Sequence, residues 1–293
     1  MQHKSTYDHF VRKPIVIIGA HRSGTSWLLQ GFRQSPELAC LGEPRAIWVY
    51  GNWFRRDDVL TAKDARPAVV RYIRRRFAAA VRRAGKERLC EKTPSNALRI
   101  PFVKAVFPDA RIVLIVRDGR SVFRSTEQVK NAATKEYVRF FFGHKLRATR
   151  VVEMPAYLSR LSVGVRKLLG KPPAIWGAKP PGWREWVRRE TPNHVVAKQW
   201  VGIMKCSLRD LAALDDESYR IIRYEDVIRS TREVMCPLME FLEVKAPQDV
   251  VSFFESSAKQ DRIQSWRDEL PTATLEDIRP IMEPTMNQMG YQW

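Results

Sequence analysis

Short runs of consecutive apolar residues alternate with helix-patterned segments along the chain. Residues 15–18 and 111–116 are the strongest such runs, and they are typical of parallel strands buried on both faces. Weaker β patterns at 88–91 and 219–223 predict two more strands. The remaining periodic segments predict helices over 24–34, 67–84, 96–106, 119–130, 195–213, 226–243 and 274–289. Strands that alternate with helices imply βαβ units and a parallel sheet.

Residues 131–193 interrupt this alternation. They mix Phe, Trp, Pro and Arg without a clean period, and we interpret them as a mostly helical or irregular insertion. There is no internal repeat and no low-complexity linker in the 293 residues. We therefore predict one α/β domain over 1–293 that carries this insertion.

The composition indicates a folded protein in a reducing compartment. Apolar residues make up 44% of the chain and aromatic residues 10%, which is enough for a core and excludes a disordered polycation. The four cysteines form no CxxC pair, so buried free thiols are expected rather than zinc ligands or disulfides. No stretch approaches ~18 uninterrupted apolar residues, and the N-terminus lacks the apolar core of a signal peptide. These features predict a cytoplasmic protein.

The charge balance predicts an anionic partner. Lys and Arg number 51 against 32 Asp and Glu, a net charge of +19, which suits nucleic acid, acidic lipid, acidic polymers or a phosphate-rich cofactor. Residues 66–88 are especially basic, and Arg71, Arg74 and Arg75 are spaced to share one helical face. A second zone at 176–189 combines Trp with Arg. The first zone is either a solvated helix face or a docking strip for an anionic acceptor or a membrane surface. The second suits sugar stacking, an acidic polymer or contact at the level of lipid headgroups.

The turn after the first strand has the spacing of a phosphate-binding loop. Gly19 and Gly24 bracket four residues between the predicted strand and helix, so that backbone N–H groups and a helix N-terminus can surround a phosphate. A nucleotide triphosphatase places Lys after the second Gly, whereas this chain has Thr25 and then Ser26. The cation lies inside the loop, at Arg22. The loop is therefore predicted to hold a phosphate without the lysine that bridges the phosphates of ATP.

Residues 19–28, Gly-Ala-His-Arg-Ser-Gly-Thr-Ser-Trp-Leu, resemble the 5′-phosphosulfate loop of the sulfotransferase family. These enzymes use 3′-phosphoadenosine 5′-phosphosulfate (PAPS) as sulfuryl donor and release adenosine 3′,5′-bisphosphate (PAP). Residues 116–125 resemble the 3′-phosphate motif of the family, with Arg117 at the end of a strand and Ser125 eight residues later. An Arg fork and a Ser hydroxyl are suitable donors to one phosphate. The resemblance implies a P-loop-type three-layer fold, with a central parallel sheet flanked by helices.

Three further segments resemble the family. Residues 90–94 and 107–111 are similar to the E-K-T-P and F-P-D-A-R stretch of bacterial and carbohydrate-type members, and tyrosylprotein sulfotransferases have a similar block. Residues 223–226 resemble a late R-Y-E-D segment, and 264–267 resemble a C-terminal Gly-x-Trp-Lys/Arg stretch without its Gly. The resemblance is strong over about 14–130, loose over 195–290 and absent from the insertion.

The resemblance implies a set of donor-binding residues. The 5′ end would be held by Arg22, Ser23, Gly24, Thr25, Ser26 and Trp27, and the 3′-phosphate by Arg117 and Ser125. Tyr224 and Trp200 are candidates for the adenine site or the active-site wall, although such aromatic residues also suit a core. The C-terminal candidates for the 3′-phosphate are Lys259, Arg262 and Arg267.

The resemblance also implies the catalytic groups. Glu43 matches the catalytic Glu of a G-E-x-R-like block in tyrosylprotein sulfotransferases, and we predict that it is the base, as a buried carboxyl with a raised pKa. Its structural alternatives are an ion pair with Arg45 and a carboxylate at a helix N-terminus. Arg22 and Lys92 are predicted to supply positive charge at the bridging oxygen and the sulfonate, so that no metal is required. His21 is a competing base, or it packs against the loop or orients the sulfonate. Glu91 is a third option for the base.

The sequence thus predicts a PAPS-dependent sulfotransferase that acts on a hydroxyl of a carbohydrate or glycolipid. A tyrosylprotein-type sulfotransferase is the main alternative. A P-loop kinase-like phosphotransferase fits less well, because the loop lysine and an Mg²⁺-binding Asp are missing. A non-enzymatic nucleic-acid-binding protein has only the net charge in its favour, with no recognition motif. The acceptor is expected to be anionic or presented at a membrane, with no specific nucleic acid.

Overall fold

A computed structural model describes residues 8–131 and 175–293. Its five strands form one parallel sheet in the order β2-β3-β1-β4-β5. They are β1 (Ile15–Ile18), β2 (Leu38–Gly42), β3 (Arg88–Lys92), β4 (Arg111–Val116) and β5 (Tyr219–Arg223). The predicted α/β class, with a central parallel sheet flanked by helices, is confirmed.

Helices connect and cover the strands. They are α1 (Thr25–Phe32), α2 (Arg45–Trp48), α3 (Pro67–Arg83), α4 (Ile100–Val106), α5 (Gly119–Asn131), α6 (Trp183–Arg189), α7 (Pro192–Leu211), α8 (Tyr224–Arg229), α9 (Thr231–Leu242), α10 (Pro247–Ser257), α11 (Trp266–Glu269) and α12 (Thr272–Gln288). Short 3₁₀ turns cover Asp8–Val11, Ala62–Asp64, Pro94–Leu98, Asp216–Ser218 and Gln260–Arg262. Within the described ranges, no helix is both long enough and apolar enough to cross a membrane.

The core has two halves, one on each face of the sheet. Val16 and Ile18 of β1 belong to one apolar cluster, and Ile15 and Ile17 belong to the other. β4 alternates in the same way, because successive side chains of a strand point to opposite faces. Both faces are covered by helices, which explains why these two strands are continuous apolar runs in the sequence.

The strand order places a crevice above β1. From β1 the chain moves to β2 and β3 on one side and then crosses to β4 on the other, so the order reverses between β1 and β4. In open parallel sheets, ligands bind at such a switch point, beyond the carboxyl ends of the strands. The 19–24 loop follows β1, and Arg117 follows β4, so both predicted phosphate motifs lie at this position.

Several predicted elements differ from the structure. The predicted 96–106 helix is a 3₁₀ turn followed by α4, with Arg99 at φ −147° between them; Pro101 has no N–H to continue an α-helical ladder across this point. The predicted 226–243 helix is α8 and α9, divided at Ser230. β2 was not predicted, because its Leu-Ala-Cys-Leu-Gly sequence has no β-branched residue. Most of the predicted insertion lies outside the described residues, and α6 is the helical part of its described end.

The arginines of α3 do not form one continuous strip. Arg71 and Arg75 are exposed, as predicted for that face. Arg74 instead donates a hydrogen bond to the backbone oxygen of Val106 at 3.1 Å, and its guanidinium lies 5.5 Å from the centre of the Phe107 ring. The three arginines lie on one helix at the predicted spacing, but Arg74 is only partly exposed and fastens α3 to α4.

All four cysteines are free thiols, as predicted. Their burial varies more than the sequence suggested. Cys90 is buried, Cys40 and Cys206 are partly buried, and Cys236 is exposed on α9. The expectation of burial is therefore wrong for Cys236.

Candidate active site

The loop after β1 depends on its two glycines. Gly19 and Gly24 both have positive φ, 154° and 97°. A Cβ on Gly19 would lie 2.6 Å from the backbone oxygen of Ile115, and a Cβ on Gly24 would lie 2.5 Å from the ring of Tyr224. Larger residues cannot fit at these positions without movement of β4 or α8. Arg22 also has positive φ, 71°, a conformation that concentrates at functional sites in residues other than Gly.

Side chains of the loop divide into structural and accessible ones. Ser23 is buried, and its hydroxyl donates to the backbone oxygen of Ala20 at 2.5 Å. Its side chain therefore closes the loop, and its predicted contact with a phosphate would have to come from the backbone N–H. Thr25 is buried at the start of α1, whereas Ser26 is exposed. Trp27 donates from Nε1 to the hydroxyl of Ser257 at 2.9 Å, which ties α1 to α10.

The two predicted phosphate motifs meet in space. Arg22 Nε donates to Ser125 Oγ at 2.9 Å, and Arg117 donates to the backbone oxygen of Arg22 at 3.1 Å. Arg117 also donates to the backbone oxygen of Arg262 at 2.8 Å. Burial and the nearby charge of Arg262 lower the pKa of Arg22. Convergent guanidinium groups and a hydroxyl favour a doubly charged anion such as a phosphate.

Arg22 is oriented differently from the sequence interpretation. We assigned it to the bridging oxygen and sulfonate of the donor, at the 5′ end. In the structure its guanidinium contacts Ser125, which the sequence assigned to the 3′-phosphate. Arg22 therefore links the two predicted phosphate subsites in this conformation.

The late R-Y-E-D segment, residues 223–226, packs against the segment that contains Arg117. Buried Glu225 accepts a hydrogen bond from the backbone N–H of Asp118 at 3.0 Å and one from the Tyr291 hydroxyl at 2.6 Å. The Arg117 guanidinium lies 4.4 Å from the centre of the Tyr224 ring, within range of a cation–π contact. Tyr224 is itself buried beneath Gly24, so its evident role is to support the loop and Arg117.

The other candidates for the nucleotide are less central. Trp200 is buried in the core, where its ring atoms are 3.0 Å from the position of a Cβ on Gly119; the structural alternative, core packing, therefore describes it better than an adenine site. Of the C-terminal candidates, Arg262 contacts Arg117 through its backbone oxygen. Lys259 and Arg267 are exposed, and Arg267 lies 5.5 Å from the centre of the Trp266 ring.

Glu43 and Lys92 form an ion pair at the same edge of the sheet. Gly42 of β2 is the register partner of Lys92 on β3, and the backbone N–H of Glu43 donates to the Lys92 oxygen at 2.7 Å. Lys92 Nζ donates to Glu43 Oε1 at 2.8 Å. The Lys92 side chain is 5% exposed and the Glu43 side chain 46%. The ammonium group is thus buried behind a carboxylate that a substrate can reach.

Two expectations for Glu43 are wrong. It was predicted to be a buried carboxyl, but nearly half of its side chain is exposed, because it follows the last residue of an edge strand. Its proposed structural partner was Arg45, but Arg45 pairs with the buried Asp58. Glu43 also has positive φ, 54°, which is a strained conformation for a Glu.

His21 packs behind the loop rather than in front of it. It is buried, its ring is 5.2 Å from the Trp176 ring, and a Cβ on Gly177 would lie 2.4 Å from it. Burial lowers the pKa of His21 to about 4. A group with that pKa is neutral near pH 7 and is a weak base. The packing alternative given for His21 therefore fits the structure better than the base.

Glu91 is enclosed by its own strand and the turn that follows. The side chain is fully buried and accepts hydrogen bonds of 2.8 Å from Thr93 Oγ1 and from Asn96 Nδ2. Burial raises the pKa of Glu91 to about 7. Because no face of this carboxyl reaches solvent, Glu91 stabilises the 94–98 turn and is poorly placed to meet a substrate.

The raised pKa of Glu91 predicts a pH-dependent stability. The unfolded carboxyl has a pKa of 4.5, so between pH 4.5 and 7 the folded state binds more protons, and the free energy of unfolding falls as pH rises. Glu91→Gln removes this titration. In urea unfolding, the free energy of unfolding of the variant minus that of the wild type is expected to rise by roughly 1–3 kcal/mol from pH 5 to pH 8. An equal stability difference at both pH values would contradict a raised pKa.

One group of polar residues beside the site was not predicted. Asp58 accepts hydrogen bonds from Arg45 and from the backbone N–H of Lys179, and Arg99 is fully buried 3.8 Å from it. Gln199 donates to the backbone oxygens of Trp176 and Ala178. These residues belong to no sequence motif or periodic pattern, and their partners are distant in sequence. The one local signal for this region is the basic composition around 45–56.

The sequence matches the model of the sulfotransferase family over residues 14–162, just over half of the chain. A protein of Caenorhabditis briggsae named "Putative protein-tyrosine sulfotransferase" is 30% identical over 118 residues, which cover 38% of this chain and 41% of that protein. The chain thus aligns with less than half of this relative.

Solved structures share the fold. The sulfotransferase domain from the curacin biosynthetic pathway matches with a TM-score of 0.55 and 14% identity, over 96% of this chain and 99% of that chain. The sulfotransferase domain from the Synechococcus PCC 7002 olefin synthase matches with a TM-score of 0.50 and 16% identity, over 98% of each chain. At these identities the similarity establishes the fold alone.

Proposed function

Because the chain belongs to the sulfotransferase family, we propose that it transfers the sulfuryl group of PAPS to a hydroxyl of an acceptor. The main support for this proposal is that the two sets of candidate residues lie at the same edge of the sheet. The 19–24 loop meets Arg117 and Ser125 at the carboxyl ends of β1 and β4, and Glu43 meets Lys92 at the ends of β2 and β3. A donor site and a base–cation pair therefore face the same crevice.

The residues present fit a donor with phosphate groups at both ends. Two glycines leave room for backbone N–H groups to approach an anion, and α1 directs its N-terminus at the loop. Arg117 and Ser125 supply charged and hydroxyl donors, and Arg117 Nε is buried without a hydrogen-bond partner among the residues described. In this proposal the loop backbone and the start of α1 contact the donor through Ser23, Gly24, Thr25 and Ser26. Trp27 supports this segment by its hydrogen bond to Ser257 of α10.

The chemistry is divided between Glu43 and the cations. PAPS supplies an activated sulfuryl group and leaves as PAP. Glu43 accepts the proton of the acceptor hydroxyl as general base, since its carboxylate is accessible and is held in place by the buried Lys92 side chain. Lys92 also places positive charge where the leaving phosphate oxygen becomes more negative, and Arg22 does so when its guanidinium turns from Ser125 towards the 5′ end. This division of roles uses side-chain cations and assigns no step to a metal ion.

We propose a carbohydrate or glycolipid hydroxyl as acceptor. The positive charge beyond the donor site, including the exposed Arg71 and Arg75 of α3 and the Trp- and Arg-rich α6, suits an acceptor that is anionic or presented at an acidic membrane surface. A protein tyrosine is the second candidate, favoured by the C. briggsae relative and by the residues around Glu43. The free thiols agree with a reducing compartment, for which we propose the cytoplasm.

A donor-labelled assay tests the reaction. The protein is incubated in EDTA with ³⁵S-labelled PAPS and with glycans, glycolipids or Tyr-containing peptides. We expect label in a glycan or glycolipid product, and label confined to peptides would favour the second candidate. Parallel reactions contain γ-³²P-labelled ATP with Mg²⁺. Metal-dependent transfer from ATP without transfer from PAPS would show a phosphotransferase instead.

A further inference from the structure

A cationic pocket of about 120 Å³ is formed in part by the chain segment that follows Glu43. Its walls come from the start of α2, from residues 52–60 and from residues 179–184. Arg45, two residues after Glu43, lines the pocket and donates from Nη1 to Ser95 Oγ at 3.1 Å. Ser95 is three residues after Lys92. This hydrogen bond joins the pocket wall to the chain segment that follows Lys92.

Positive charge exceeds negative charge in this pocket. Two carboxylates line it, Asp57 and Asp58, together with six cationic residues: Arg45, Arg55, Arg56, Arg99, Lys179 and Arg184. Burial alone would raise the pKa of Asp58, but the charges of Arg45 and Arg99 hold it well below its usual range. Asp58 is thus an anion already shared between two guanidinium groups. Arg55 pairs with Asp64, outside the pocket lining.

Two exposed arginines of the pocket are candidates to meet a ligand. Arg56 and Arg184 are exposed and have no ion pair with any described carboxylate. They are held near each other by Trp183, whose Nε1 donates to the backbone oxygen of Arg56 at 2.9 Å and whose ring lies 5.1 Å from the Arg184 guanidinium. Excess charge in a concave site raises the local concentration of anions.

The pocket is separate from the predicted 3′-phosphate site. Arg117 follows β4, whereas Glu43 and Arg45 follow β2, and β3 and β1 lie between these strands. Three strand spacings correspond to about 14 Å. Arg117 and the pocket-lining Arg45 thus follow strands that lie three spacings apart, and Glu43 lies on the Arg45 side.

We propose that this pocket binds an anionic group of the acceptor, a carboxylate, sulfate or phosphate, and so holds the acceptor hydroxyl at Glu43. The inference rests on the proposed sulfuryl transfer and adds the substrate class: acceptors that already carry a negative charge near the hydroxyl. Arg56 and Arg184 are the specificity-determining residues, because a neutral acceptor of the same shape gains nothing from them.

Calorimetry on the PAP-saturated protein tests this assignment, because PAP occupies the donor phosphate sites. The probes are 4-hydroxybenzoate, its uncharged counterpart 4-hydroxybenzamide, and inorganic phosphate. We expect 4-hydroxybenzoate to bind at least about tenfold more tightly than the amide. The double variant Arg56→Gln, Arg184→Gln should weaken 4-hydroxybenzoate about tenfold and leave the PAP affinity unchanged. Arg33→Gln, an exposed arginine directly after α1 and at the opposite edge of the sheet, is the matched control.

Each outcome has a defined meaning. Equal binding of the acid and the amide, or an unchanged affinity in the double variant, would overturn the assignment. Binding of inorganic phosphate without binding of 4-hydroxybenzoate would assign the pocket to a free anion and would also overturn it. Failure of the wild type to bind PAP in the first titration is a separate result, because it contradicts the proposed function rather than the pocket. Circular dichroism and thermal melting confirm that each variant is folded.

Discussion

Glu43→Gln is expected to reduce sulfuryl transfer by about 10²–10⁴-fold, the usual contribution of a general base. The amide has nearly the same shape but cannot accept the proton of the acceptor hydroxyl. PAP affinity should stay within about twofold of the wild type, since Glu43 lies at the end of β2 and the donor residues follow β1 and β4. Single-turnover transfer from labelled PAPS and calorimetry with PAP measure the two effects separately.

The chain offers a matched control for this variant. Glu243 is also an exposed Glu with positive φ, 53°, and it also pairs with a lysine, Lys13, at 2.6 Å. Glu243 contacts Arg111 at the start of β4, at the amino edge of the sheet. Glu243→Gln should therefore keep full activity. Retained turnover in Glu43→Gln would reject Glu43 as the base, and equal losses in both variants would indicate a general effect on the fold.

Arg117→Ala is expected to weaken PAP binding by about 2–3 kcal/mol, the scale of lost hydrogen bonds to a charged group. The guanidinium supplies charge for the predicted 3′-phosphate and also joins the loop at Arg22 to the C-terminal segment at Arg262. Arg117→Lys keeps the positive charge but not the fork geometry, so it should recover part of the PAP affinity. Calorimetric affinities for PAP measure both variants.

Arg220→Ala is the comparison for Arg117→Ala. Arg220 is an exposed arginine on the neighbouring strand β5, where it stacks 4.1 Å from the centre of the Phe241 ring. Its removal should leave the PAP affinity unchanged. If Arg117→Ala binds PAP as tightly as Arg220→Ala does, the 3′-phosphate is held elsewhere, and the resemblance of residues 116–125 to the family motif has misled.

The parts of the fold that could be predicted are those with local causes. β1 and β4 are buried on both faces, so each is a continuous apolar run, and the loop between β1 and α1 needs Gly19 and Gly24 at fixed positions. The motifs containing Arg117 and Lys92 follow strands for the same reason: parallel strands present their carboxyl ends at one edge. The sequence predicted catalytic roles for Lys92 and Glu43 independently, and the register of β2 and β3 brings the two residues together.

The remaining features depend on contacts between distant residues. Asp58 is fixed by the backbone of Lys179, 121 positions away, and Glu225 is fixed by Tyr291, 66 positions away. No local pattern marks such partners. Trp200 and Tyr224 have the same aromatic character whether they line a site or fill a core, so only packing could assign them to support roles. The exposure of Glu43 likewise follows from its place after an edge strand.

Titration of the protein with PAP in EDTA is the decisive test of the proposed donor site, because PAP carries the phosphates that both predicted motifs would bind. We expect one PAP per chain, bound without a divalent metal and weakened by Arg117→Ala but not by Glu43→Gln. A second titration uses ATP with Mg²⁺ under the same conditions. Tight binding of ATP with Mg²⁺ and no binding of PAP would show that the protein is not a PAPS-dependent sulfotransferase.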